Sequence, residues 1–186
     1  MILIKNGTII DPSCKREEKG DLLIADGKIA RIAPCGEIQE EGCEVIDATG
    51  MVVAPGLVDV HVHFRDPGFT YKEDIDTGAQ AALQGGFTSV VLMANTKPVV
   101  DNEETLDYVL EKGKNTPIHV YSCASISKGL QGKELVDMAL LYSKGAAGFT
   151  DDGIPLLDVD ILEQAFVKAA LSLIHISEPT RRTPIS

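Results

Sequence analysis

His61 and His63 stand two residues apart in Val58-Asp59-Val60-His61-Val62-His63-Phe64-Arg65-Asp66-Pro67-Gly68, an apolar alternation that Pro-Gly brings to a stop. Alternate residues of a strand share a face, so the two imidazoles project the same way and can grip one ion. The competing reading is a pair of hydrogen-bonded core histidines. That is the better reading for a lone His, but two at strand spacing, followed by Arg65, favour a metal site. Imidazole nitrogen suits Zn²⁺ and its first-row neighbours, with zinc the default. Later apolar runs also end in polar groups: Asn95 in Asn95-Thr96-Lys97-Pro98, then Ser125, then Asp151-Asp152 before Gly153. Taken alone, the Asn95 segment reads as a turn, and the Asp pair as a turn or a helix cap.

These side chains need elements to carry them. Beyond Pro55-Gly56, apolar runs centre on Val60, Val90 and Val120, with a weaker run ending at Thr150. A repeat of about 30 residues fits successive strand-helix units. Residues 73–84 form a helical pattern with Ile75, Ala79, Ala82 and Leu83 on one face, stopped by Gly85-Gly86. Asp101-Asn102-Glu103-Glu104 caps a second helix bearing Leu106, Val109 and Leu110. Residues 135–143 predict a third, and Asp158 caps a fourth through Ile161, Leu162, Ala165 and Phe166. Parallel strands covered by helices follow from this order. Every polar residue named above then lies beyond the C-terminal end of a strand, on the rim where a (β/α)₈ barrel builds its sites. The preceding segment reads as short strands. Asn6-Gly7 and Asp26-Gly27 predict hairpins, residues 45–53 a further strand pair, and residues 14–20 a charged exposed loop. It carries no evident chemistry and reads as a structural sheet.

Composition narrows the partners. With 186 residues, 44% of them hydrophobic, the chain can bury one ordinary core. The excess of 28 Asp+Glu over 17 Lys+Arg, net −11, argues against nucleic acid or an anionic membrane and for a small-molecule substrate. Cys14, Cys35, Cys43 and Cys123 show no paired spacing, and no apolar run is long enough to serve as a signal core or a membrane span. Free thiols and a cytoplasmic location are the expectation.

The segments His61-Val62-His63-Phe64-Arg65-Asp66-Pro67-Gly68, Met93-Ala94-Asn95-Thr96-Lys97-Pro98 and Phe149-Thr150-Asp151-Asp152-Gly153 resemble, in order and spacing, the motifs of dihydroorotase in its bacterial class I form, within the amidohydrolase superfamily. The resemblance covers residues 1–170 and departs at Ala94, where the family usually has Pro. It implies an α/β fold: a truncated (β/α)₈ barrel of four strand-helix units in residues 56–170, preceded in residues 1–55 by part of a small β-sandwich. The implied reaction is the reversible closure of N-carbamoyl-L-aspartate to L-dihydroorotate in pyrimidine synthesis. By the same resemblance His61 and His63 hold the first of two zinc ions, and Asp152 bridges to the second where relatives use a carboxylated Lys. Arg65 and Asn95, with His63, are the implied substrate-binding residues, and the planar fork of Arg65 suits a carboxylate. Phe64, on the opposite face, is packing.

Two further His ligands and the general acid/base Asp belong to later strands of the family's barrel, so no catalytic acid/base is assigned here. The chain alone is expected to be inactive and poorly folded. The nearest rivals are hydantoinases and allantoinases, whose cyclic amides lack the aspartate-derived carboxylate that Arg65 and Asn95 would read. A rival of another kind is a non-catalytic dihydroorotase-like subunit that scaffolds aspartate transcarbamoylase. Association with that enzyme, or with further copies of the chain, is the expected partnership.

Residues 171–186 read as a non-native tail. Leu171-Ser172-Leu173-Ile174-His175-Ile176 imitates a fifth strand, and His175 invites assignment as a third ligand. Ser177-Glu178-Pro179-Thr180-Arg181-Arg182 then continues with no helical periodicity, as adapter or vector read-through would. A longer read of the same locus is expected to diverge from this tail after Ala170. Continuation through Arg181-Arg182 into more barrel would refute that and return His175 as a ligand.

Overall fold

A computed structural model describes residues 1–171; of the expected tail 171–186, only Leu171 is included, and His175 lies outside the described residues. The chain divides into two compact units, Met1–Pro55 and the part from Gly56 onward.

The first unit is a mixed sheet of β1 (Ile2–Asp11), β2 (Arg16–Ala25), β3 (Lys28–Ala33), β4 (Glu44–Asp47) and β5 (Val52–Val53). Its order is β3-β2-β1-β4, with β5 also on β1. Three expectations change here. Asn6-Gly7 does not reverse the chain: β1 runs straight through it as a bulge, and the register against β2 slips between Ile4 and Gly7. Asn6 takes φ 63° and gives its N–H to the buried Asp21 carboxylate at 2.9 Å. That distant partner outcompetes the local turn. The reversal comes instead at the short 3₁₀ turn Pro12–Cys14, so most of the charged 14–20 stretch is strand β2 rather than loop. Finally, β4 and β5 each pair in parallel with β1, not with one another. Asp26-Gly27 does join β2 to β3, with both residues at positive φ as a two-residue type I′ turn requires.

The second unit alternates β6 (Leu57–Val62), α1 (Ile75–Gln84), β7 (Phe87–Leu92), α2 (Glu103–Gly113), β8 (His119–Ala124), α3 (Met138–Ser143), β9 (Gly148–Phe149) and α4 (Val159–Leu171). The strands lie in sequence order and pair in parallel, the topology of half a (β/α)₈ barrel. Side chains start the helices: Asp74 accepts the Thr77 N–H at 2.7 Å, Asn102 that of Thr105 at 3.0 Å, and Asp158 that of Ile161 at 3.2 Å. Asp137 likewise accepts from Leu140. For that reason α3 begins at Met138, later than expected, and Leu135 is drawn into a bridge with Ser127.

The core packs α1 onto β7 and α2 onto β8 through Ile75, Ala79, Val90, Leu92, Leu106 and Val109, and continues to Met138, Leu141, Phe149 and Ala165. Each larger side chain contributes about 1.5–3 kcal/mol by leaving water. Among the described residues β6 pairs only with β7, and Leu57, Val58 and Val60 are exposed.

The loops after β6 and β7 are joined to each other. Met93 donates its N–H to the Val62 carbonyl at 3.0 Å, and Lys97 to that of Pro67 at 3.1 Å. Gly68, at φ 94°, presses on Lys97 so closely that an added Cβ would lie 1.9 Å from its carbonyl oxygen. Gly86, at φ 82°, faces open space. In a full-length protein carrying this segment, Gly86→Ala is expected to cost only the left-handed backbone, about 1 kcal/mol. Gly68→Ala adds overpacking, for about 3 kcal/mol or more. Melting curves check this; a Gly68→Ala midpoint no lower than that of Gly86→Ala would count against it.

Candidate metal centre

β6 ends at Val62, and its last residues aim the two histidines. Val62 packs toward the core, which turns His61 and His63 to the opposite side, their rings 5.2 Å apart at 71°. Asp59 accepts the His61 backbone N–H at 3.0 Å, fixing the chain where β6 departs from regular register. Asp152, just past β9, completes the group: its Oδ1 lies 3.0 Å from His61 Nε2 and its Oδ2 3.9 Å from His63 Nε2. One ligand atom from each of the three residues falls within 4.8 Å of the others. Two imidazole nitrogens and a carboxylate suit zinc.

Asn95 sits at the middle of this group. Its Oδ1 lies 3.0 Å from His63 Nδ1 and 3.5 Å from Arg65 Nη1, while its Nδ2 donates to Asp152 at 2.5 Å. An amide carbonyl can only accept, so the proton of a neutral His63 belongs on Nδ1. Nε2 is left with a free lone pair facing Asp152, the arrangement a metal-ligating histidine needs. The donor set therefore fits a metal ion.

The Asp pair divides. Asp151 is fully buried and accepts from the Ile126 and Ser127 N–H groups at 2.7 and 3.1 Å and from the Ser127 hydroxyl at 2.5 Å, which commits it to the fold. Asp152, at φ 52°, swings to the histidines, with its N–H held by Thr150 Oγ1 at 2.9 Å. Ser125 is fully buried and its hydroxyl has no partner among the described residues; it does not join the group. Phe64 packs against α1 at Gly78. Burial pushes the Cys123 thiol, on β8, up to about 11, which favours the thiol over the thiolate at neutral pH.

Asp66, Tyr108 and Lys112 went unread in the sequence. Asp66 is fully buried; Tyr108 donates to its Oδ1 at 3.0 Å and Lys112 to its Oδ2 at 2.6 Å. The bond to Asp66 holds the Lys112 ammonium above its ordinary range. Burial, then the same carboxylate, raises the Tyr108 phenol. At neutral pH Lys112 is charged and Tyr108 protonated. The available signal was the i, i+4 spacing of Tyr108 and Lys112, which puts both on one face of α2.

Comparison with known proteins agrees with the fold. The dihydro-orotase-like family model matches residues 50–178. Dihydroorotase of Clostridioides difficile (strain 630) is 59% identical over 91% of this chain, and that of Streptococcus pneumoniae serotype 4 is 54% identical over the same share. Among solved structures, L-hydantoinase from Arthrobacter aurescens superposes over 95% of the chain and 40% of its own length, with TM-score 0.78 and 23% identity. A D-hydantoinase gives TM-score 0.75 at 27% identity over 95% of this chain and 39% of its own. The architecture is that of part of a (β/α)₈ barrel. The chain belongs to the dihydro-orotase-like family. It spans about 40% of the length of the curated relatives it matches.

In a full-length protein carrying this segment, the His61→Ala/His63→Ala double variant is expected to lose at least one equivalent of zinc. Its affinity should fall by about 100-fold or more, since among the described residues no further donor joins the group to replace a lost ligand. Elemental analysis after gel filtration checks this; an unchanged zinc content would remove the histidines from the site.

Proposed function

We propose that a full-length protein carrying this segment is a zinc-dependent dihydroorotase that interconverts N-carbamoyl-L-aspartate and L-dihydroorotate in pyrimidine synthesis. The observation that carries the reading is the cation beside the metal group: Arg65 reaches the same Asn95 amide that contacts His63 and Asp152. Identity of 59% to a curated dihydroorotase supports it.

Ring opening adds water across a cyclic amide C–N bond, and closure expels it. His61, His63 and Asp152 would hold zinc, which when bound polarises a carbonyl and lowers the pKa of water toward neutrality. The remaining work falls to this chain's own groups. Asn95 fixes the tautomer and ring plane of His63. One Nδ2 proton of Asn95 is engaged by Asp152, which leaves the other for a substrate oxygen. Arg65 presents a planar fork that a carboxylate can accept from in two places.

The carboxylate is what separates this substrate from a simple hydantoin. The full-length protein is expected to turn over dihydroorotate and to leave unsubstituted hydantoin nearly untouched. Arg65→Met should keep its zinc and raise KM for dihydroorotate about tenfold or more, as loss of a charge-assisted hydrogen bond implies. Comparable efficiency on hydantoin, or an unaltered KM in Arg65→Met, would defeat the assignment.

A further inference from the structure

We infer that buried Asp66, with its partners Lys112 and Tyr108 on α2, is a positioning device for Arg65. The inference rests on the proposed role of Arg65 as the carboxylate clamp and adds what holds that clamp in place. Arg65 has φ 21°, a region that L side chains avoid. Its backbone makes a tight reversal in which Asp66 N–H donates to the Phe64 carbonyl, and Phe69 N–H donates to the Arg65 carbonyl at 2.9 Å. A residue stays in such a conformation only where its neighbours over-determine it.

Both neighbours do so here. Phe64 is buried, with its ring set against Gly78 of α1 so tightly that a Cβ there would meet it at 2.5 Å. Asp66 is fully buried and accepts three hydrogen bonds: from Ile75 N–H at 3.3 Å, Tyr108 at 3.0 Å and Lys112 at 2.6 Å. Lys112 also lies 3.7 Å from Asp76 of α1, so one ammonium ties the loop to two helices. Stability alone is a poor reason to bury this carboxylate. Apolar groups of the same volume are often as good as a buried ion pair or better, and the site lies against a core already rich in aliphatic side chains. Hydrogen bonds to a buried carboxylate have direction, however, and these fix the residue that follows the clamp.

The test is a double-mutant cycle in the full-length protein, with KM, kcat and zinc content measured for dihydroorotate. Lys112→Met is expected to raise KM about tenfold, with kcat within about twofold and zinc unchanged. Lys112→Arg should recover most of that loss. Tyr108→Phe removes one neutral donor, should raise KM about threefold, and serves alone should Lys112→Met not fold. In an Arg65→Met background both substitutions should have no further effect on KM, because they act through that side chain. A merely structural network would instead lower stability and leave the KM effect additive in that background, which would overturn the inference. So would an unchanged KM in both single variants. If Arg65→Met itself leaves KM unaltered, the clamp assignment falls and takes the inference with it. If Arg65→Met is impaired and the cycle is additive, only the inference falls.

Discussion

Parallel hydrogen bonding between successive strands is the constraint on which everything else in the second unit depends. Because β6, β7, β8 and β9 all run the same way, each releases its chain on the same rim. Groups far apart in sequence then meet without any long loop to carry them. Asn95 lies 32 residues from His63 and 57 from Asp152, yet touches both. Loss of parallel register between β6 and β7 would separate His63 from the carbonyl that sets its tautomer.

The rim is held by two kinds of tie with different tolerances. Backbone bonds join the loops after β6 and β7, and Gly68 permits their approach because it has no Cβ. Buried carboxylates tie loops to elements further back: Asp151 collects the turn after β8, and Asp66 gathers α1 and α2. Each such carboxylate accepts three hydrogen bonds, which is what makes its burial tolerable. The result is a set of mostly half-buried polar side chains mounted on a buried polar frame.

Much of this was legible in the residues. Helix starts were marked by Asn102 and Asp158, whose side chains reach only a few residues along the chain. The strand repeat and the shared face of His61 and His63 are likewise local consequences of backbone geometry. The misreadings came where a distant group entered. Asn6-Gly7 has the chemistry of a hairpin, but Asp21 claims the Asn6 N–H from across the sheet and the strand continues. Charged residues 16–19 look like loop, and become strand because β1 offers them a partner.

By itself the sequence determined the order of elements, their caps and the side on which the polar groups emerge, because period and capping act over a few residues. Only the tertiary structure decided which member of the Asp pair is free. Nothing local separates Asp151 from Asp152, and the division comes from donors at Ile126 and Ser127 that claim the first and a positive φ that releases the second. The role of Asp66 was hidden for the same reason: its partners Tyr108 and Lys112 lie more than forty residues away, on a helix that packing alone brings beside the loop.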